Sequence, residues 1–97
     1  MARILVAEDD AAVQTFVRRA LVHRGHEVTS VDGGSQALDA LGAEPFDLLI
    51  TDIVMPGLDG IGLALKVVQD YPSIPVLLMS GFSEEVKRAQ GLETLLC

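Results

Sequence analysis

The stretch Asp47–Gly60, DLLITDIVMPGLDG, decides the fold that the sequence predicts. It begins with an unbroken apolar run, Leu48–Ile50, which is typical of a short strand buried on both faces of a sheet. The run stops at Thr51 and Asp52, and the proline and glycines that follow predict a loop. A segment with helical periodicity comes directly after the stretch. The sequence therefore predicts a strand, a loop and a helix, with an acidic residue where the strand ends.

The same unit recurs on both sides of this stretch. Apolar runs predict three further strands, at Ile4–Ala7, Val28–Val31 and Val76–Met79, and segments with helical periodicity separate them. Strands that alternate with helices through short connections form a parallel sheet with helices on both faces. A chain of 97 residues has room for one core. We therefore predict a single α/β domain over residues 1–97, a doubly wound parallel sheet that binds ligands at the carboxyl ends of its strands.

Apolar spacing also predicts which helix faces pack on the sheet. The predicted buried faces are Val13, Phe16, Val17, Ala20 and Leu21 in the first helix, Ala37, Leu38 and Leu41 in the second, and Ile61, Ala64, Leu65 and Val68 in the third. On the third helix, Leu63 and Val67 are predicted to lie at the periphery of the core, with a partner-binding face as the alternative. Ser83, Glu84 and Glu85 predict the start of a fourth helix.

Composition argues against nucleic-acid binding and membrane insertion. The chain has 14 acidic and 7 basic residues, a formal net charge of -7, and lacks the clustered Lys and Arg that phosphate backbones require. Its mean hydropathy of +0.40 is high, but no segment approaches the roughly 20 consecutive apolar residues that span a bilayer. The single cysteine, Cys97, supplies neither a disulfide nor a zinc cluster. We expect a cytoplasmic protein.

Acidic side chains follow two of the predicted strands. Glu8, Asp9 and Asp10 come after the first strand, and Asp52 ends the third. If these strands are neighbours the carboxylates converge, and two like charges about 4 Å apart repel by roughly 4 kcal/mol at an effective dielectric constant of about 20. Such a group takes up protons or binds a cation, and oxygen ligands favour a hard divalent ion such as magnesium. For Asp10 alone, capping the first helix is the favoured role.

Other polar residues carry weaker signals. Ser80 ends the fourth predicted strand, where its hydroxyl could donate to a phosphoryl oxygen on Asp52; the alternative is an ordinary strand-terminating serine. His23 and His26 flank Gly25, and a solvated helix cap is the favoured role for both. The sequence contains no Walker loop, no G-x-G-x-x-G motif and no histidine pair at i, i+4.

Three segments, Ile4–Asp10, Asp47–Gly60 and Pro75–Gly81, resemble the receiver domain of two-component response regulators, the CheY-like family. The resemblance covers essentially the whole chain in the expected order. Within the family the chain looks most like the stand-alone cell-cycle receivers of the CpdR type. The resemblance implies a flavodoxin-like fold with strand order 2-1-3-4.

The resemblance also implies the roles of individual residues. Asp52 matches the phosphoacceptor, and Glu8 and Asp9 match the acidic pair that holds Mg2+ with it. Val54 matches the position whose backbone carbonyl is a metal ligand, and Ser80 matches the switch hydroxyl. The implied function is signal transduction: Asp52 accepts a phosphoryl group from a phosphohistidine on a histidine kinase or histidine phosphotransfer protein. Output then runs through protein contacts of the fourth-helix face, and the domain is no enzyme beyond assisting its own phosphorylation and dephosphorylation.

Two other functions remain open at this point. One is an adaptor or interaction module that works without phosphorylation. The other is a magnesium-dependent phosphatase with an aspartyl nucleophile, although such enzymes carry a second acid where this sequence has Val54.

The family pattern continues beyond the 97 residues of this sequence. The resemblance implies a fifth strand and helix, with a lysine that contacts the phosphoryl group and a switch aromatic, and none of these is present. We therefore expect a receiver domain truncated after the fourth helix. Its fourth strand would be an open sheet edge, and we expect self-association through that strand or the fourth helix. The alternative is that these 97 residues are part of a longer protein, which would supply the missing strand in cis.

Overall fold

The computed structural model describes residues 1–79, in which strands and helices alternate. The elements are β1 (Arg3–Ala7), α1 (Ala11–His23), β2 (Glu27–Val31), α2 (Gly34–Ala43), β3 (Leu48–Thr51), α3 (Gly60–Asp70) and β4 (Val76–Leu78). No helix in this part of the chain is long and apolar enough to cross a membrane. Ser80 and the predicted fourth helix lie outside the described residues.

The four strands form one parallel sheet in the order β2-β1-β3-β4. This confirms the predicted doubly wound, flavodoxin-like α/β fold and its strand order 2-1-3-4. The strands β1 and β3 lie in the middle of the sheet, with Ala7 opposite Thr51 where both strands end. The carboxyl ends of the two central strands therefore lie side by side.

Side chains of β1 alternate between two cores on opposite faces of the sheet. Leu5 and Ala7 pack with residues of α2 and α3, whereas Ile4 and Val6 pack with residues of α1. Alternation with a period of two residues is the geometry of any strand. Because both faces are covered, β1 is apolar along nearly its whole length.

The helix α1 buries a narrower stripe than its sequence predicts. Val13 and Val17 are buried and Leu21 is half-buried, but Phe16 is 44% exposed and Ala20 is exposed. The first three residues repeat every fourth position and form one row along the helix, whereas Phe16 and Ala20 belong to the next row. The prediction for α2 is confirmed, since Ala37 and Leu41 are buried and Leu38 is half-buried.

The predicted buried face of α3 is wrong. Leu63 and Val67 are fully buried in the core, while Leu65 is 63% exposed and Ile61 and Val68 are also exposed. Two apolar stripes lie on this helix, and the rotation is set at its first residue, Gly60. An added Cβ there would collide with the backbone carbonyl oxygen of Asp52, so this side of the helix must face β3.

The same rotation explains the rest of α3. Leu63 and Val67 stand three and seven residues after Gly60, and helical spacing puts them on the same side. Ala64, another residue of the predicted face, is half-buried. A partner-binding face at Leu63 and Val67 is therefore excluded, because neither side chain is accessible.

His26 does more than cap a helix. Its Nδ1 accepts a hydrogen bond of 3.0 Å from the backbone N–H of Ala2, which fixes the chain just before β1. His23 is exposed in the last turn of α1, in agreement with a solvated position near a helix C-terminus.

Replacing Leu63 with alanine is expected to lower the free energy of unfolding by about 2–5 kcal/mol, the range for truncating a buried leucine. The matched control is Leu65→Ala, in the same helix, which should change it by less than about 0.5 kcal/mol because that side chain is exposed. Urea denaturation of the two variants measures the difference. A larger loss in Leu65→Ala than in Leu63→Ala would contradict the observed rotation of α3.

Candidate functional site

The site lies at the carboxyl ends of β1 and β3. Glu8 follows the last residue of β1, and Asp52 follows the last residue of β3. Ala7 and Thr51 are register partners, and the N–H of Asp52 donates to the carbonyl of Ala7 at 3.1 Å. The pairing of the two central strands therefore brings the two acidic residues together.

Glu8, Asp9 and Asp52 form one carboxylate cluster. Each offers a carboxylate oxygen, and the three atoms lie within 4.8 Å of one another. Glu8 is 0% exposed and Asp52 4% exposed, whereas Asp9 is exposed to solvent. The predicted convergence of these acids is confirmed, and the cluster opens to solvent on the Asp9 side.

The carboxylate of Glu8 is buried, and one of its oxygens accepts a hydrogen bond. Oε2 accepts a hydrogen bond of 2.9 Å from the backbone N–H of Asp10. Oε1 is buried and has no hydrogen-bond partner among residues 1–79. A buried, unpartnered carboxylate oxygen is costly unless a proton or a cation satisfies it.

Burial raises the pKa of Glu8 to about 8. The hydrogen bond from the Asp10 N–H opposes this change, because it stabilises the ionised form. The negative charge of Asp52 raises the pKa further, and so does sharing a proton with the carboxylates of Asp9 and Asp52. Without a cation, the cluster therefore holds a proton at neutral pH.

Backbone contacts hold Asp52 in place. Its Oδ1 accepts a hydrogen bond of 2.8 Å from the N–H of Ile53, and its carbonyl accepts one of 2.9 Å from the hydroxyl of Thr51. The N–H of Gly60 donates to the carbonyl of Ile53 at 2.8 Å, so the start of α3 closes the loop beside Asp52. The carboxylate is thus oriented by bonds to its own loop.

Asp10 has the capping role favoured by the sequence. Its carboxylate accepts hydrogen bonds from the backbone N–H groups of Ala12, at 2.9 Å, and Val13, at 3.2 Å. It is the N-cap of α1. These two bonds satisfy N–H groups that the first turn of a helix leaves free.

The remaining predicted site residues have separate outcomes. Val54 lies in the loop after Asp52. It is 79% exposed, so its side chain does not pack in the core. The metal-binding role of its carbonyl stays a prediction. Ser80, the predicted switch hydroxyl, lies outside the described residues.

One residue that contacts the cluster was not identified by any of the sequence motifs. Gln14 lies in α1, and its side-chain amide donates to the backbone carbonyl of Glu8 at 2.9 Å. A polar residue four positions after an N-cap points back over the first turn of a helix. That spacing is the one feature from which the contact could have been anticipated.

Among the described residues, the cluster reaches solvent at Asp9. Two surface grooves of about 690 and 400 Å3 lie elsewhere, one along α1 at Thr15 and Phe16, the other beside Pro45 and Tyr71. Neither is lined by the acidic residues of the cluster. Three convergent carboxylates with an open side suit a hard divalent cation that keeps water ligands for an incoming anion.

Comparison with known proteins identifies the family that the sequence resembles. A model of the response regulator receiver domain matches residues 4–95. The response regulator receiver protein CpdR of Brucella abortus is 45% identical over 83 residues, which cover 86% of this chain and 69% of that protein. The DNA-binding transcriptional regulator NtrC of Klebsiella pneumoniae is 35% identical over 81% of this chain, a match that covers 17% of the length of NtrC.

Solved structures share the fold. The response regulator TrrA of Thermotoga maritima, crystallised in complex with Mg(2+)-BeF, matches with a TM-score of 0.81 and 28% identity, covering 87% of this chain and 73% of TrrA. A complex of the histidine kinase ThkA with TrrA matches with a TM-score of 0.76 and 29% identity, covering 80% of this chain and 67% of that one. On these matches, and on its strand order, the chain belongs to the receiver domain family of two-component response regulators.

Proposed function

We propose that this receiver domain accepts a phosphoryl group on Asp52 from a phosphohistidine of a histidine kinase or histidine phosphotransfer protein. The observation that carries the proposal is the cluster of Glu8, Asp9 and Asp52 within 4.8 Å, with Glu8 Oε1 buried and unpartnered in the described part of the chain. The kinase complex of TrrA supports a partner of this class.

Magnesium is the cofactor of this proposal. Glu8, Asp9 and Asp52 would hold it together with the backbone carbonyl of Val54. The residues fit the ion, because the cluster supplies oxygen ligands and a buried oxygen that has no partner among residues 1–79. When bound, Mg2+ would neutralise charge on the carboxylates and on the incoming phosphoryl group. The Mg(2+)-BeF complex of TrrA supports the same cofactor.

The transfer itself needs little covalent chemistry from the protein. A carboxylate oxygen of Asp52 forms a bond to phosphorus while the bond from phosphorus to the imidazole nitrogen breaks. The electron pair of the broken bond stays on that nitrogen, a proton on the other ring nitrogen of the phosphohistidine makes the leaving imidazole neutral, and an acyl phosphate remains on Asp52. Phosphoryl transfer passes through a loose transition state, so orientation of the nucleophile and neutralisation of charge supply most of the rate. The bond from the Ile53 N–H to Oδ1 orients Asp52 and leaves its second oxygen to react.

Signalling is the remaining part of the proposal. Ser80 would move towards the phosphoryl group and change the populations of two surface states at the fourth helix, whose face contacts the downstream protein. The domain would be no enzyme beyond assisting its own phosphorylation and dephosphorylation. The cytoplasmic location and the self-association expected from the sequence stay predictions.

Incubation with magnesium and acetyl phosphate is expected to add one phosphoryl group to the chain, detected by intact mass. Asp52→Asn should add none, because the amide is not a nucleophile for phosphorus. The matched control is Asp70→Asn, an acid at the other end of α3 from Asp52, which should label like the wild type. Equal labelling of wild type and Asp52→Asn would contradict the assignment, and no labelling of either would favour the adaptor function.

Magnesium is expected to raise the melting temperature of the wild type by mass action, with about 2.7 kcal/mol of stabilisation at a concentration 100 times its dissociation constant. Asp9→Ala should abolish this rise. The neighbouring variant Asp10→Ala should lose about 0.5–2 kcal/mol of stability with its helix cap and keep the rise. A magnesium response that survives in Asp9→Ala would place the ion elsewhere.

Without magnesium, stability should fall as pH increases from about 4.5 to about 8. Folded Glu8 keeps its proton up to a pKa of about 8, whereas the unfolded side chain loses it near 4.5, so the unfolded state binds fewer protons in this range. The free energy of unfolding of Glu8→Gln, measured by urea denaturation at each pH, should lack this component. The difference in the free energy of unfolding between Glu8→Gln and the wild type should therefore increase with pH. A difference that stays constant would contradict the raised pKa.

A further inference from the structure

The side-chain amide of Gln14 joins the first turn of α1 to the loop that carries the acidic cluster. Its Nε2 donates to the backbone carbonyl of Glu8 at 2.9 Å, to the carbonyl of Val31 at 3.1 Å and to Oδ1 of Asp32 at 3.3 Å. The amide group has two N–H bonds for these three acceptors, so one N–H bond is shared between two acceptors. The side chain is half-buried.

One of these bonds goes to the peptide unit between Glu8 and Asp9, and the other two hold the same amide against Val31 and Asp32. Because a peptide unit is planar, fixing the direction of the Glu8 carbonyl also fixes the direction in which the chain enters Asp9. The Glu8 N–H donates to the same Val31 carbonyl at 3.0 Å, so both sides of Glu8 are tied to the end of β2. One amide thus constrains the backbone from which two of the three clustered carboxylates project.

We propose that Gln14 is a positioning residue for magnesium binding: its amide holds the Glu8–Asp9 peptide so that both carboxylates face Asp52. The proposal rests on the proposed function, since it concerns the same cluster. Groups that orient metal ligands typically change metal affinity by about 10–100-fold when they are removed.

The chemistry of the contact requires a donor at position 14. Two of the three acceptors are backbone carbonyls and the third is a carboxylate, so an acceptor or a charged acid at this position would repel them. Methionine is similar to glutamine in length but cannot donate. Arginine keeps the reach and supplies several N–H donors. These two substitutions separate hydrogen bonding from filling of space.

The experiment compares Gln14→Met and Gln14→Arg with the wild type in the 97-residue chain. Magnesium affinity is measured by calorimetric titration without any phosphodonor. Gln14→Met should bind magnesium about 10-fold more weakly or worse, whereas Gln14→Arg should stay much closer to the wild type. The second readout needs no metal: exchange of the Asp10 amide, which donates to Glu8 Oε2, should be faster in Gln14→Met.

The control for a merely structural role is Val17→Ala. Val17 lies one turn further along α1 and is buried against the sheet, so its truncation loosens the helix without removing a bond to the loop. This variant should retain the magnesium affinity of the wild type. Equal weakening in Val17→Ala and Gln14→Met would overturn the proposal, as would unchanged affinity in Gln14→Met.

Failure of the proposed function gives a different result. A wild-type chain that binds no magnesium contradicts the proposed cofactor, whatever Gln14 does. The positioning role is then decided by amide exchange in the metal-free protein. Unchanged exchange at Asp10 in Gln14→Met would overturn it, and faster exchange there, with no change in Val17→Ala, would support it.

Discussion

The parallel pairing of β1 with β3 is the constraint on which the rest of this structure depends. It sets Ala7 opposite Thr51, so Glu8 and Asp52, which follow these two residues, lie side by side at the same edge of the sheet. A shift of one residue would turn every side chain of a strand to the opposite face and separate the acids. The apolar side chains of β1 and β3, which fill both cores, resist such a shift.

Repulsion within the cluster is partly offset by hydrogen bonds from the loops around it. The Asp10 N–H stabilises one oxygen of Glu8, and the Ile53 N–H stabilises one oxygen of Asp52. Close approach of Gly60 to the Asp52 carbonyl brings the start of α3 against the end of β3. The site therefore combines fixed backbone positions with a Glu8 oxygen that has no partner in the described part of the chain, an arrangement suited to reversible binding of a cation and an anion.

Two helix faces show the limit of apolar periodicity. On α3 the pattern allows either stripe, because Leu63 and Leu65 are equally apolar, and the structure buries the one that lies on the same side as Gly60, against the Asp52 carbonyl. On α1 the pattern includes Phe16, but the contact with the sheet is one row wide. In both helices the sequence predicts that the segment is helical, and packing decides its rotation or the width of its buried face.

The sequence by itself determined the succession of strands and helices along the chain, the capping role of Asp10 and the acids expected at the strand ends, because these depend on local periodicity and on residue type. The tertiary structure decided the burial of Glu8, its raised pKa and the lack of a partner for its Oε1 within residues 1–79, because solvent exclusion depends on neighbours far along the chain. It also decided the contact of Gln14 with Glu8, Val31 and Asp32, since residues 17 and 18 positions away in the sequence come beside Gln14 only in the folded chain. Long-range packing is the physical reason for this division.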